Sequence, residues 1–264
     1  MHFFSPSRCT IYLIMKNSKN SKNLNISDLY QQLCNAVDTL HFTWPVEVVY
    51  NPLRYAWHGF NQYNDMYSHG QKRVVFLGMN PGPWGMAQTG IPFGEINAVK
   101  NFLHINSINI NSPDNEHLKY PVRGLECVKS EVSGKRLWGL FRQRYGTAEE
   151  FFREHFVLNY CPLLFIARND KDSLRNYTPD RIRQDESMFL FELCDMCLMK
   201  VIEILEPQYV VGIGNFAYKQ ARKALVGMNV NISKILHPSP ASPAANKGWA
   251  EKATEQLKEA GVWI

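Results

Sequence analysis

Two periods organise the apolar positions of this chain. Short runs rich in β-branched and aromatic residues fall at residues 74–77 (VVFL), 155–160 (HFVLNY), 209–213 (YVVGI) and 232–236 (ISKIL). Each is bounded by breakers or polar residues, the pattern of a buried strand. Between them the apolar residues recur at helical spacing. Leu29, Leu33, Val37 and Leu40 form one such stripe, with Ser27 as its expected N-cap. Ile96, Val99 and Leu103 mark a helix over 94–105, and further helices are expected over 135–145 and 148–154. Thr178-Pro179 is read as the start of a long helix ending at Leu205, and residues 244–260 as a final amphipathic helix. Strands alternating with helices predict an α/β protein of three layers, α/β/α, around a central, mostly parallel four-stranded sheet. There is no internal repeat.

The first predicted strand runs into NPGPWGMAQTGIPFG at residues 80–94. Pro81 and Pro83 fix the backbone and Gly82 lets it approach a ligand closely, so the loop suits a binding edge; an ordinary turn explains the same punctuation. The other strands add weight to the first reading. Asn80 follows the first strand, Asn159 closes the second and His237 follows the fourth, and parallel strands put such ends on one edge of the sheet. Two amides and an imidazole with Phe93 nearby describe a pocket for a planar heteroaromatic ring. A Ser/His/Asp or Cys/His arrangement, a Walker loop and a GxGxxG are absent from these strand ends. No carboxylate pair is expected to flank them, which leaves the two-carboxylate machinery of sugar glycosidases unsupported.

A length of 264 residues without a linker tract suits one catalytic domain, expected over 24–264, preceded by a disordered tail over 1–23. The tail's apolar patch TIYLIM is too short to span a membrane, and positive charge follows it where a secretory signal has charge in front. Met15 is an alternative start, and a transit peptide an alternative role for the tail. The balance of 29 Lys and Arg against 24 Asp and Glu gives +5, a weak pointer to a polyanion. Six cysteines lack the density of a disulfide scaffold. Cys194 and Cys197 form a CxxC, but it lies in an apolar-periodic segment without a second ligand pair, which favours a helix core over a metal or redox site.

Four blocks carry a resemblance to a known family: GMNPGPWGMAQTGIPFGE (78–95), SEVSGKRLWGLF (130–141), FVLNYCPLLF (156–165) and HPSPASPAANKGW (237–249). Together, and in this order, they closely resemble the single-strand-selective monofunctional uracil-DNA glycosylases of the uracil-DNA glycosylase superfamily. The similarity runs from about residue 30 to the C-terminus. It implies hydrolysis of the N-glycosidic bond of uracil and 5-hydroxymethyluracil in single- and double-stranded DNA, with no cofactor and no metal. It also implies a monomer with no membrane association, acting in the nucleus, with a mitochondrial copy as the alternative.

Position by position, the resemblance makes Asn80 the residue that orients the attacking water and His237 the donor to uracil O2. Asn159 corresponds to the amide that pairs with the base edge, Phe93 to the ring that stacks on it, and Met79 to a further base contact. Gly82 and Met86 match positions that leave room beside C5. Ser239, Pro240, Ala241 and Ser242 would form the wedge that fills the gap left by a flipped base, with Lys247 close behind. Lys171, Arg175, Asn176, Thr178, Arg181 and Arg183, in and after the loop RNDKDSLRNYTP, would lie along the DNA backbone. A solvated insertion is the alternative for that loop.

Two departures stand out. The loop is about four residues longer than the family form, and Ala241-Ser242 replaces the Arg-Asn that vertebrate relatives carry after HPSP. Two other readings compete. One is a non-catalytic reader of modified or single-stranded bases, which the intact Asn80 and His237 oppose. The other is an iron–sulfur relative, whose N-terminal cysteine cluster this chain lacks.

Overall fold

A computed structural model describes residues 25–169 and 173–264. The expected tail and Lys171 lie outside the described residues.

The chain begins with α1 (Ile26–Val37), whose Asn25 side chain accepts from the Asp28 N–H while Asp28 reaches back to the Asn25 N–H. This reciprocal capping box, and not Ser27, sets the start, because both orphan ends are satisfied at once. The strands of the central sheet are β2 (Val74–Gly78), β3 (His155–Asn159), β6 (Tyr209–Ile213) and β7 (Asn231–Ile235). They pair in the order β3-β2-β6-β7, every pair parallel. β2 and β3 are buried along their whole length, as strands covered on both faces must be. The expected four-stranded parallel sheet is therefore present.

A second sheet was not anticipated. It consists of β1 (Val46–Tyr50), β4 (Leu164–Arg168) and β5 (Leu174–Tyr177) in the antiparallel order β1-β4-β5. β5 lies inside the stretch read from sequence as a polar loop. Only Leu174 of its residues is buried, so its ladder to β4 is held by backbone pairing from Arg168–Leu174 to Phe165–Tyr177, with little apolar periodicity to reveal it.

The helices between β1 and β3 are α2 (Pro52–Tyr55), α3 (Trp57–Tyr67), α4 (Met86–Thr89), α5 (Ile96–Asn101), α6 (Val132–Tyr145) and α7 (Ala148–Phe152). Those after β5 are α8 (Gln184–Leu205), α9 (Asn215–Ala224) and α10 (Trp249–Glu259). Several differ from expectation in their bounds. α8 starts at Gln184, because Ile182 and Arg183 are extended and Pro179–Arg181 forms only a 3-10 turn. Asp185 and Glu186 then occupy its first turn, where the helix dipole favours carboxylates. α5 is short: the Glu95 side chain caps it through the Ala98 N–H. α10 starts at Trp249, after Gly248 takes a left-handed φ of 86°. Cys194 and Cys197 are buried on α8, in agreement with the helix-core reading.

Candidate active site

The C-terminal edge of the parallel sheet opens on a cleft of about 630 Å³ lined by Met79, Asn80, Gly82, Phe93, Asn159 and His237. The antiparallel sheet contributes Asn176, followed by Thr178, and the segment after β7 contributes Ser239, Pro240, Ala241 and Ser242. Residues far apart in the sequence thus converge because parallel strands end together.

Asn80 stands just past β2. Its Nδ2 donates to the Leu163 carbonyl at 3.1 Å, so the acceptor half of the amide is what remains for a ligand. Asn159, opposite Gly78 in the β2–β3 ladder, lies within 3.3 Å of Met86 Sδ through its Nδ2, while its Oδ1 is buried without a partner. Such an atom costs about 1–3 kcal/mol until a donor reaches it. Met86 itself is buried behind Asn159 and does not line the cleft.

Phe93 has a left-handed φ of 53°, uncommon for an aromatic residue. Trp138 Nε1 donates to its carbonyl at 3.0 Å and holds that conformation. A side chain at Gly78 would collide with both the Phe93 ring and Asn159 Oδ1, so the strand's terminal glycine lets both groups reach the cleft. The Phe93 and His237 rings are 6.4 Å apart at 41°, across the space between them.

His237 is held by its surroundings in one protonation state and one tautomer. Burial pushes its pKa down to about 4, which leaves it neutral at pH 7. Its Nδ1 accepts from the Ser239 N–H at 3.1 Å, so the proton resides on Nε2. Arg136 of α6 steadies the same segment: it donates to the carbonyl of Pro238 at 3.0 Å and to Asn246 Oδ1 at 2.9 Å. Asn246 Nδ2 donates in turn to the Pro240 carbonyl.

Glu131, at the N-cap of α6, also lines the cleft. Sequence reading did not single it out, because the helix was expected to start at 135, three residues after its observed start at Val132, which left Glu131 outside any element. Burial, reinforced by the nearby Glu95 charge and partly offset by the Gly134 amide, raises its pKa to about 7. Glu95 is fully engaged: it accepts from the Ala98 N–H and from Ser130 Oγ. It is not among the residues lining the cleft, so the two do not form a glycosidase pair.

The expected backbone contacts divide. Asn176 and Thr178 reach the cleft. Arg175 and Lys247 are exposed outside its lining, and Arg181 packs over the Tyr177 ring at 5.9 Å. Arg183 is paired with Asp185 at 2.8 Å, which directs it along the start of α8. No lysine lines the cleft among the described residues, and no group of three or more His, Cys, Asp or Glu there could hold a metal ion. No described helix is long and apolar enough to cross a membrane.

Comparison with known proteins agrees with this geometry. The family model of the uracil DNA glycosylase superfamily matches residues 65–259. The single-strand selective monofunctional uracil-DNA glycosylase of Rattus norvegicus is 49% identical over 225 residues, covering 84% of this chain and 79% of the relative. Its counterpart from Mus musculus is 48% identical over the same length. Among solved structures, wild-type SMUG2 of Pedobacter heparinus superposes with a TM-score of 0.64 at 17% identity, covering 91% of this chain and all of that one, a likeness of fold. With both sequence and family model in accord, this chain belongs to the uracil DNA glycosylase superfamily.

Proposed function

We propose that this protein is a monofunctional uracil-DNA glycosylase of base-excision repair. The observation that carries the reading is the neutral His237, with its proton on Nε2, facing a cleft shared with Asn80, Phe93 and Asn159. A flipped uracil stacks on Phe93. Asn159 Oδ1 accepts from N3–H, with the amide Nδ2 turned from Met86 toward O4, and O2 meets His237. As the bond from C1′ to N1 breaks, its electron pair passes to the base and charge grows on O2, where Nε2–H stabilises it. A preorganised donor of this kind is worth about 3–4 kcal/mol. The sugar becomes oxocarbenium-like, and Asn80 orients a water toward C1′ through its Oδ1. An amide is no strong base, and none is needed, because the electrophile is already cationic. The attacking water forms the new C1′–O bond and gives its proton to solvent, leaving an abasic site and the free base.

The absence of lysine from the described lining supports a hydrolase without lyase activity, since a Schiff base with the sugar needs an amine. Extrusion from a duplex costs a few kcal/mol, so both single and double strands are substrates, with single strands easier. The resemblance at Gly82 and Met86 extends the proposed range to 5-hydroxymethyluracil. The same reading has the protein act on DNA as a monomer, in the nucleus or as a mitochondrial copy.

The test is incubation of purified protein with uracil-containing single- and double-stranded oligonucleotides, followed by alkali. Strand breaks should appear only after alkali and should survive EDTA. A borohydride-trapped protein–DNA adduct would refute the monofunctional reading. Tight binding to uracil-DNA without base release would instead establish a non-catalytic reader.

A further inference from the structure

Glu131 is a titratable group on the cleft lining that the chemistry above leaves unused. Its carboxyl lies near the Gly134 amide without completing a cap hydrogen bond, so N-capping alone does not account for it. Its Oε2 is buried without a partner, in contrast to the doubly engaged Glu95. Its position is set by two glycines. A β-carbon on Gly82 would collide with Oε1 and one on Gly85 with both oxygens, so the carboxyl occupies the space that a side chain at either position would take.

The base pose assigns that space a meaning. With O2 at His237 and the N3 and O4 edge at Asn159, the next ring atom, C5, points past Met86, whose Sδ is 3.3 Å from Asn159 Nδ2. Beyond Met86 the Asn80 loop returns through Gly82, and there the wall is the Glu131 carboxyl. We propose that Glu131 is a specificity-determining residue: its carboxyl walls the C5 niche and hydrogen-bonds a hydroxyl-bearing substituent on the base. The proposal rests on the glycosylase reading and names what that site selects. A protonated carboxyl both donates and accepts, so a hydroxymethyl group satisfies it. A methyl group covers it and satisfies nothing, and leaving a buried polar group unpaired is how sites reject isosteres that lack a hydroxyl.

Ionisation gives a second handle. Of the ionisable groups on the surrounding elements, Glu95 acts on Glu131 directly and raises its pKa. Lys129 sits over the Trp84 ring at 3.9 Å, Lys135 is exposed one turn along α6, and His237 titrates at about 4, below the relevant range. Once Glu131 loses its proton it can only accept. A substrate hydroxyl then pairs with the charge, whereas uracil leaves it bare, so preference for the hydroxymethyl base should rise with pH.

Single-turnover rates on single strands carrying uracil, 5-hydroxymethyluracil or thymine test this in wild type, E131Q and E131A. E131Q keeps size, donor and acceptor, and should lie within about three-fold of wild type on both uracils. E131A should lower the 5-hydroxymethyluracil-to-uracil ratio ten-fold or more and admit thymine. In wild type that ratio should rise from pH 6 to pH 8, and in E131Q it should stay constant. An unchanged ratio in folded E131A, or an equal fall on both bases, would overturn the proposal. If E131A does not fold, a wild-type ratio that is flat with pH does the same. Wild-type protein inert on uracil would remove the glycosylase reading itself, and the niche with it.

Discussion

The backbone N–H of Ser239 donates to Nδ1 of His237 at 3.1 Å, two residues along the same segment. This local bond fixes which imidazole nitrogen carries the proton, and burial keeps the ring neutral with a pKa near 4. His237→Leu is therefore expected to lower the single-turnover rate by at least ~10², the value of one preorganised donor at a developing anion. In Glu131→Gln, which has no titrating carboxyl at position 131, the rate on uracil should hold from pH 8 to about 5 and fall as the ring gains its proton near 4. An inflection near 6.5 in that variant would show that the ring is not desolvated as described.

Asn80→Ala removes the acceptor that orients water but not the surface that holds DNA. A rate loss comparable to that of His237→Leu is expected, with dissociation constants for uracil-containing strands within a few-fold of wild type. Gel-shift or anisotropy titration, set against single-turnover rates, separates the two effects. A near-normal rate would take Asn80 out of the reaction.

Arg136 touches the reaction only through the segment it clamps. Loss of charged hydrogen bonds of this kind costs about 1.5–3 kcal/mol, so Arg136→Ala should slow base release roughly ten-fold or more. Because the effect passes through His237, it should largely vanish in the His237→Leu background. Additive losses in the double-mutant cycle would assign Arg136 to general stability instead.

Glu131 also makes folding depend on pH. Its pKa rises from 4.5 to about 7 on folding, so the folded state holds the proton more tightly. Stability from this group is fully present below 4.5 and is lost as pH climbs through 7, by up to about 3 kcal/mol. Urea unfolding at pH 5 and 8 should show wild type losing more than Glu131→Gln between the two. Equal losses would mean that the carboxyl is solvated.

Ala241 lines the cleft where an arginine could enter the base stack. Ala241→Arg should raise single-turnover activity on duplex uracil, slow multiple turnover through tighter product binding, and leave single strands nearly unchanged. Unchanged or lower duplex activity in a folded variant would move the wedge to another segment, with the stretch through β5 as the first candidate.

The parallel sheet was legible because β2 and β3 are buried on both faces, and burial writes itself as unbroken apolar runs. From those runs followed the convergence of Asn80, Asn159 and His237, since parallel strands share an exit edge. β5 was not legible: LRNY offers one buried residue, and pairing to β4 supplies what side-chain pattern does not. The ion pairs of the arginines were equally hidden. A sequence displays Arg183 as free charge, while the fold pairs it with Asp185 two positions away. Glu131 was hidden most deeply, because a helix expected to start at 135 leaves it in a loop, and the glycines that face its carboxyl meet it only in the fold.

Asn80 takes its orientation from the carbonyl of Leu163, and Leu163 lies in the strap of residues 160–163 where the chain leaves the parallel sheet for the antiparallel one. The same strap is stitched to the end of β2, through Tyr160 N–H to the Gly78 carbonyl and Cys161 N–H to the Met79 carbonyl. The sheet that brings Asn176 to the cleft therefore shares a seam with the Asn80 amide. A shift of one sheet against the other would have to break these bonds or turn that amide, so the seam ties the two walls of the cleft to a single spacing.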